Sequence, residues 1–91
     1  MEQIRVTLVT TQGCHFCDDA EEILAHLSQT FPLSIDLVPL ASETGRNLLV
    51  EHRVPYPPIV LVDGSFFGYG RLSRRRLEQR LAELDSCAEM S

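Results

Sequence analysis

Val54-Pro55-Tyr56-Pro57-Pro58 places three prolines within four positions, and no other stretch of the chain restricts the backbone so severely. Each proline holds φ at about −65° and withholds an amide proton, so the stretch can be neither helix nor central strand. Directly after it, Ile59-Val60-Leu61-Val62 is a short apolar run suited to a buried strand. Asp63-Gly64 then marks a tight turn into Ser65-Phe66-Phe67-Gly68. A stiff loop therefore feeds an antiparallel hairpin.

Upstream, the apolar period changes from two to about three and a half. Ile4-Arg5-Val6-Thr7-Leu8-Val9-Thr10 is β-branched, alternating at first and then continuously apolar, as in a strand covered on both faces. From Cys14 to about Gln29, Phe16, Ala20, Ile23, Leu24 and Leu27 recur at helical steps, with Asp18, Asp19, Glu21 and Glu22 on the other side. Those acids crowd the N-terminal half, where the helix dipole favours them, and Phe31-Pro32 ends the helix. Ser34 to Val38 reads as a second strand. Ser42 to His52 reads as a short helix, weakened by Gly45 and Asn47, with Leu48, Leu49 and His52 facing inward. In the last helix Ser73 is the cap, Leu72 and Leu77 form a hydrophobic staple, and Leu77, Leu81 and Leu84 share a face; fraying is expected after Asp85. The order is β-α-β-α-β-β-α, and helical crossovers make the first two strands parallel.

Composition narrows the class. The chain has 91 residues, 44% apolar and 23% charged, with a formal net charge of −5. This is one domain, residues 1–86 with a short tail at 87–91, and too apolar for disorder. Apolar stretches such as Leu37 to Ala41 are far too short to cross a bilayer. Met1-Glu2-Gln3-Ile4-Arg5 lacks the basic flank and apolar run of a secretory signal. The expectation is a cytoplasmic monomer with no membrane or nucleic-acid partner.

Three cysteines are too few, and odd in number, for a secreted disulfide scaffold, which turns attention to Cys14-His15-Phe16-Cys17. A strand ends, Gly13 turns the chain, and this tetrapeptide opens a helix. Unpaired amides and positive potential at a helix N-terminus stabilise a thiolate, lowering its pKa below the free value of about 8.5. A spacing of three residues sets both sulfurs on one face, within reach of a disulfide. Cys14 is then the exposed attacker and Cys17 the shielded resolving thiol. His15, when protonated, would further favour the Cys14 thiolate; equally, it is an ordinary exposed turn residue. The pair is also half of a zinc site, but Cys87, His26 and His52 supply no second pair at matching spacing, so no metal is expected. His26 reads as a surface residue, and His52 as a capping or half-buried one.

Taken together, Val9-Thr10-Thr11-Gln12-Gly13-Cys14-His15-Phe16-Cys17, the element order, and Val54-Pro55-Tyr56-Pro57-Pro58-Ile59 leading to Asp63-Gly64 resemble a glutaredoxin. The resemblance covers nearly the whole chain. It implies a thioredoxin-type α/β fold with a four-stranded mixed sheet flanked by helices, and thiol-disulfide oxidoreductase activity with catalytic Cys14 and Cys17. It implies modulation by His15 and Phe16, and substrate contacts at Thr11, Tyr56, Pro57, Pro58 and Tyr69. In that family a cis-proline faces the cysteines and the backbone before it pairs with an extended substrate; Pro58 matches it. Pro57 then stands where the backbone would donate, and it has no amide proton.

The departures concern the reductant. Glutaredoxins commonly carry a lysine shortly before the first cysteine, a proline between the cysteines, and a Gly-Gly then Asp-Asp stretch for glutathione. Here Thr11, His15 and Gly68-Tyr69-Gly70-Arg71-Leu72 hold those places. Thr11 offers no cation to a glutathione carboxylate, and Arg71 has the wrong sign for its ammonium. The expectation is no bound cofactor, protein or small-molecule disulfides as substrates, and a low-molecular-weight thiol or thioredoxin-reductase-type donor. The alternative is a non-enzymatic module of the same fold that carries a partner, a metal or an iron-sulfur cluster on the cysteine pair.

Two features stand outside this reading. Arg71, Arg74, Arg75, Arg76 and Arg80 give residues 71–80 a net charge of +4, against −6 for residues 1–70; with no aromatic residue on that helix, a solvated face or a steering patch for an anionic partner is expected. Phe66, Phe67 and Tyr69 lie at strand spacing, one face inward, and Cys87 is expected to be a spare thiol.

Overall fold

The computed structural model describes residues 3–90, with side chains through Asp85. In chain order the elements are β1 (Ile4–Thr10), α1 (His15–Leu27), β2 (Leu33–Pro39), α2 (Glu43–Glu51), β3 (Ile59–Val62), β4 (Ser65–Tyr69) and α3 (Arg74–Met90). They form a four-stranded sheet in the order β2-β1-β3-β4, with β1 parallel to β2 and the other neighbours antiparallel. This is the expected mixed sheet.

The alternation of side chains across the central strands divides the core. Val6, Leu8, Val60 and Val62 pack with Ala20, Leu24 and Leu27 of α1 and Leu77 and Leu81 of α3. Val9, Ile59 and Leu61 pack on the opposite face with Val54, and Leu48 and Leu49 of α2 lean against them. β1 and β3 are thus covered on both sides, which explains their nearly continuous apolar sequence. β2 is an edge strand, and Leu37 on it is 55% exposed.

Local chemistry sets the boundaries. Asp63 and Gly64 both adopt positive φ, 50° and 81°, as a two-residue hairpin of this hand requires. Ser73 Oγ accepts from the Arg76 amide at 3.3 Å to cap α3, and Leu72 joins Leu77 in the core. α3 continues past Asp85, where fraying is expected from sequence; no glycine or proline stops it before Met90. The Cys87 side chain lies outside the described residues.

Three sequence-based placements change. Phe16 is not in the apolar stripe of α1: at about 100° per residue, Cys17, Ala20, Leu24 and Leu27 form the buried line, and Phe16 falls on the flank. The register of β4 slips opposite Val60 and Leu61, so that Phe66 faces Leu61, Gly68 faces Val60, and Phe67 is the extra residue. Phe66 lies on one face, stacked on His52 at 4.8 Å, and Phe67 on the other, packed against the α1/α3 core. Gly45 is a requirement of packing rather than a weakness: a Cβ there would collide with the Pro39 carbonyl and approach Leu40 Cα to 2.9 Å.

Candidate functional site

β1 delivers the chain to the end of the sheet, and Gly13, with φ 73°, turns it back so that Cys14 caps α1. Cys14 takes extended torsions, φ −102° and ψ 111°, and its Sγ accepts from the Cys17 amide at 3.1 Å. The cap position, with side chains three residues apart on one face, brings the two Cα atoms to 5.1 Å, and Cys14 and Cys17 are joined as a disulfide. The two sulfurs are unequal. Cys17 is fully buried in the stripe facing the sheet, whereas Cys14 is half-buried at the surface.

The proline loop closes over this end. The Pro57–Pro58 peptide bond is cis, and Pro58 is buried. Its carbonyl accepts from the Gly70 amide at 2.9 Å, which ties the loop to the end of β4. The Pro57 carbonyl oxygen instead lies 4.0 Å from Cys14 Sγ, and no N–H of the described residues donates to it. One main-chain acceptor therefore faces the exposed sulfur.

Three aromatic rings from the segments around the sulfur form a rim. Tyr56 packs edge-on to Tyr69 at 5.4 Å and tilts towards Phe16 at 6.5 Å, all three more than a third exposed. Phe16 comes from α1, Tyr56 from the loop and Tyr69 from β4. Gly70 is what admits Tyr56: it adopts φ 66°, and a Cβ there would lie 2.7 Å from Tyr56 Cε2. Sequence reasoning passed over Gly70 as a contact residue; its signal was the missing side chain beside Tyr69.

The remaining expected site residues divide around α1. His15 is exposed, and its Nε2 lies 3.6 Å from Asp19 Oδ2, one turn along. Thr11 is exposed and sits away from the aromatic rim, lining a cavity of about 510 Å³ with Gln12, Asp18, Glu21 and Leu40. A second cavity of about 430 Å³ opens on the other flank of α1, between Phe16, Asp19 and Glu22 and the residues Arg71, Leu72 and Arg74. The structure thus gathers Cys14, Cys17, Phe16, Tyr56, Pro57, Pro58 and Tyr69, and leaves Thr11 on a separate flank. His26 is at the surface as expected, though bonded to Arg74, and His52 caps α2.

Neither a family model nor a curated protein matches the sequence. Solved structures do. Thioredoxin O2 from Arabidopsis thaliana, in the oxidised state, superposes with a TM-score of 0.66 at 18% identity over 90% of this chain and 75% of its own. Oxidised mitochondrial thioredoxin 3 from Saccharomyces cerevisiae gives 0.63 at 16% identity, over 91% and 80%. Glutaredoxin 1 from Francisella tularensis, complexed with cacodylate, gives 0.56 at 15% identity, over 91% and 98%. At these identities the likeness speaks for the fold alone: the chain is a thioredoxin-fold protein, glutaredoxin-like in element order, with a Cys14–Cys17 pair opening its first helix.

Proposed function

We propose that the protein is a glutaredoxin-type thiol-disulfide oxidoreductase. The observation that carries this reading is the asymmetry of the sulfurs: Cys14 at the surface beside the unpaired Pro57 carbonyl, Cys17 buried behind it. In the reduced form the Cys14 thiolate attacks one sulfur of a substrate disulfide, and the substrate S–S bond breaks, releasing one substrate thiolate. The Cys17 thiolate then attacks Cys14 Sγ. The mixed disulfide breaks, the second substrate thiol leaves, and the protein holds the Cys14–Cys17 disulfide. Two electrons have passed to the substrate, and an external thiol or reductase must return them.

Positive potential at the start of α1 and the Cys17 amide, 3.1 Å from Cys14 Sγ, favour the thiolate that attacks and leaves. The Pro57 carbonyl accepts an amide proton from an extended substrate, and the rim of Phe16, Tyr56 and Tyr69 packs on its side chains. The glutaredoxin type rests on the β-α-β-α-β-β-α order of the described elements and on the resemblance of the cysteine and proline segments. In the same reading the reductant is a low-molecular-weight thiol or a thioredoxin-reductase-type donor, and the setting is the cytoplasm.

The test is trapping. Cys17→Ser should accumulate a mixed disulfide with a substrate peptide, seen as the mass of one peptide added, and Cys14→Ser should form none and lose reductase activity. Reductase activity intact in Cys14→Ser would end the reading. Parallel reduction of the oxidised protein by glutathione, by other small thiols and by a thioredoxin reductase system identifies the donor by its rate.

A further inference from the structure

The first turn of α3 is electrostatically inverted. A helix N-terminus favours carboxylates, yet Arg74, Arg75 and Arg76 open this one, with no acid in its first turn and Arg71 just before it. The arginines part company around the helix. Arg76 and Arg80 lie over the Phe67 ring, at 6.0 and 5.7 Å, and line a separate cavity with it. Arg71 and Arg74 instead line the cavity of about 430 Å³ that Phe16 also lines, and Arg75, next along the helix, is exposed. Arg74 Nη2 lies 2.7 Å from His26 Nδ1, a contact that holds the guanidinium in place without cancelling its charge. Among the described residues no carboxylate pairs with Arg71, Arg74 or Arg75. Three exposed cations thus gather at the start of α3, two of them in the cavity lined by Phe16 of the Cys14–Cys17 segment, in a chain whose net charge is −5.

We propose that Arg71, Arg74 and Arg75 form a docking surface for an acidic polypeptide that exchanges its disulfide with Cys14 and Cys17. The inference rests on the oxidoreductase reading and adds the charge of the substrate. A polypeptide fits better than a nucleic acid because the opposite wall of the cavity carries Asp19 and Glu22, and Asp18 and Glu21 follow on the next flank of α1. An evenly charged phosphate chain meets those carboxylates, whereas a polypeptide places its acids only against the arginines.

The experiment follows reduction of three probes by the reduced protein: hydroxyethyl disulfide, and two peptides with one internal disulfide, flanked by aspartates in one and lysines in the other. At low ionic strength the aspartate peptide should react about tenfold faster than the lysine peptide, with the preference falling below about twofold in 0.5 M salt. Arg71→Ser combined with Arg75→Ser should abolish most of the preference, with circular dichroism and the hydroxyethyl disulfide rate unchanged. Arg80→Ser, on the far flank of the same helix, should keep it. Equal peptide rates, or an equal loss in Arg80→Ser, overturn the docking surface while leaving the oxidoreductase reading intact. No reduction of hydroxyethyl disulfide overturns both. Equal peptide rates with tight, arginine-dependent binding of a single-stranded oligonucleotide would assign the patch to nucleic acid instead.

Discussion

Gly70 carries no functional group, yet it decides where Tyr56 stands. Alanine there meets two obstacles: φ of 66°, which a side chain resists, and Tyr56 Cε2 at 2.7 Å from the new Cβ. Gly70→Ala should cost about 2–4 kcal/mol in urea unfolding. It should also raise KM for a peptide disulfide more than for hydroxyethyl disulfide, because the small probe does not need the rim. Cys14 and Cys17 were legible from the chain because their spacing and chemistry are local, and Pro58 through the family resemblance. The role of Gly70 and the flank placement of Phe16 were not. They depend on Tyr56, which approaches from a loop remote in sequence, and on Cys17 taking the buried line that Phe16 would otherwise occupy.

The second helix shows the same limit for an entire segment. Glycine inside a helix ordinarily costs about 1 kcal/mol against alanine, so Gly45→Ala would stabilise an isolated α2. In the folded chain the added Cβ meets the backbone of Pro39 and Leu40, which cannot swing aside as a side chain would. A net loss of about 1–3 kcal/mol is expected, measured as a lower urea midpoint with unchanged slope. The order of the strands and helices, the hairpin turn and the capped start of α3 were readable because each has its own period or punctuation. The bulge at Phe67 was not, since period two alone cannot say which residue of Phe66-Phe67-Gly68 falls out of register.

Across the molecule, the core is unequal on the two sides of the sheet. Leu24, Leu27, Leu77 and Leu81 of two helices fill one side, whereas on the other Gly45 is the only buried residue of α2. Leu77→Ala should cost about 3–5 kcal/mol, a large part of the stability expected of a 91-residue domain. Leu48→Ala, half-exposed on the thinner side, should cost about 1 kcal/mol. Chemical unfolding of both variants checks the asymmetry, and similar losses would refute it. Charge is as uneven as the core, and its sign along the chain was plain from the sequence; that Arg71 and Arg74 share a cavity with Phe16 required the fold.

The Pro57 carbonyl has one further consequence, in kinetics. With no amide at that residue and the Pro58 carbonyl already engaged by Gly70, the proposed exchange leaves the loop one main-chain hydrogen bond for a substrate polypeptide where a loop with an amide would form two. The missing bond is worth about 0.5–1.5 kcal/mol, which shortens the residence of a bound chain roughly two- to tenfold. In the proposed exchange, departure of the product is therefore quick, and the pace is left to the chemistry of the sulfurs.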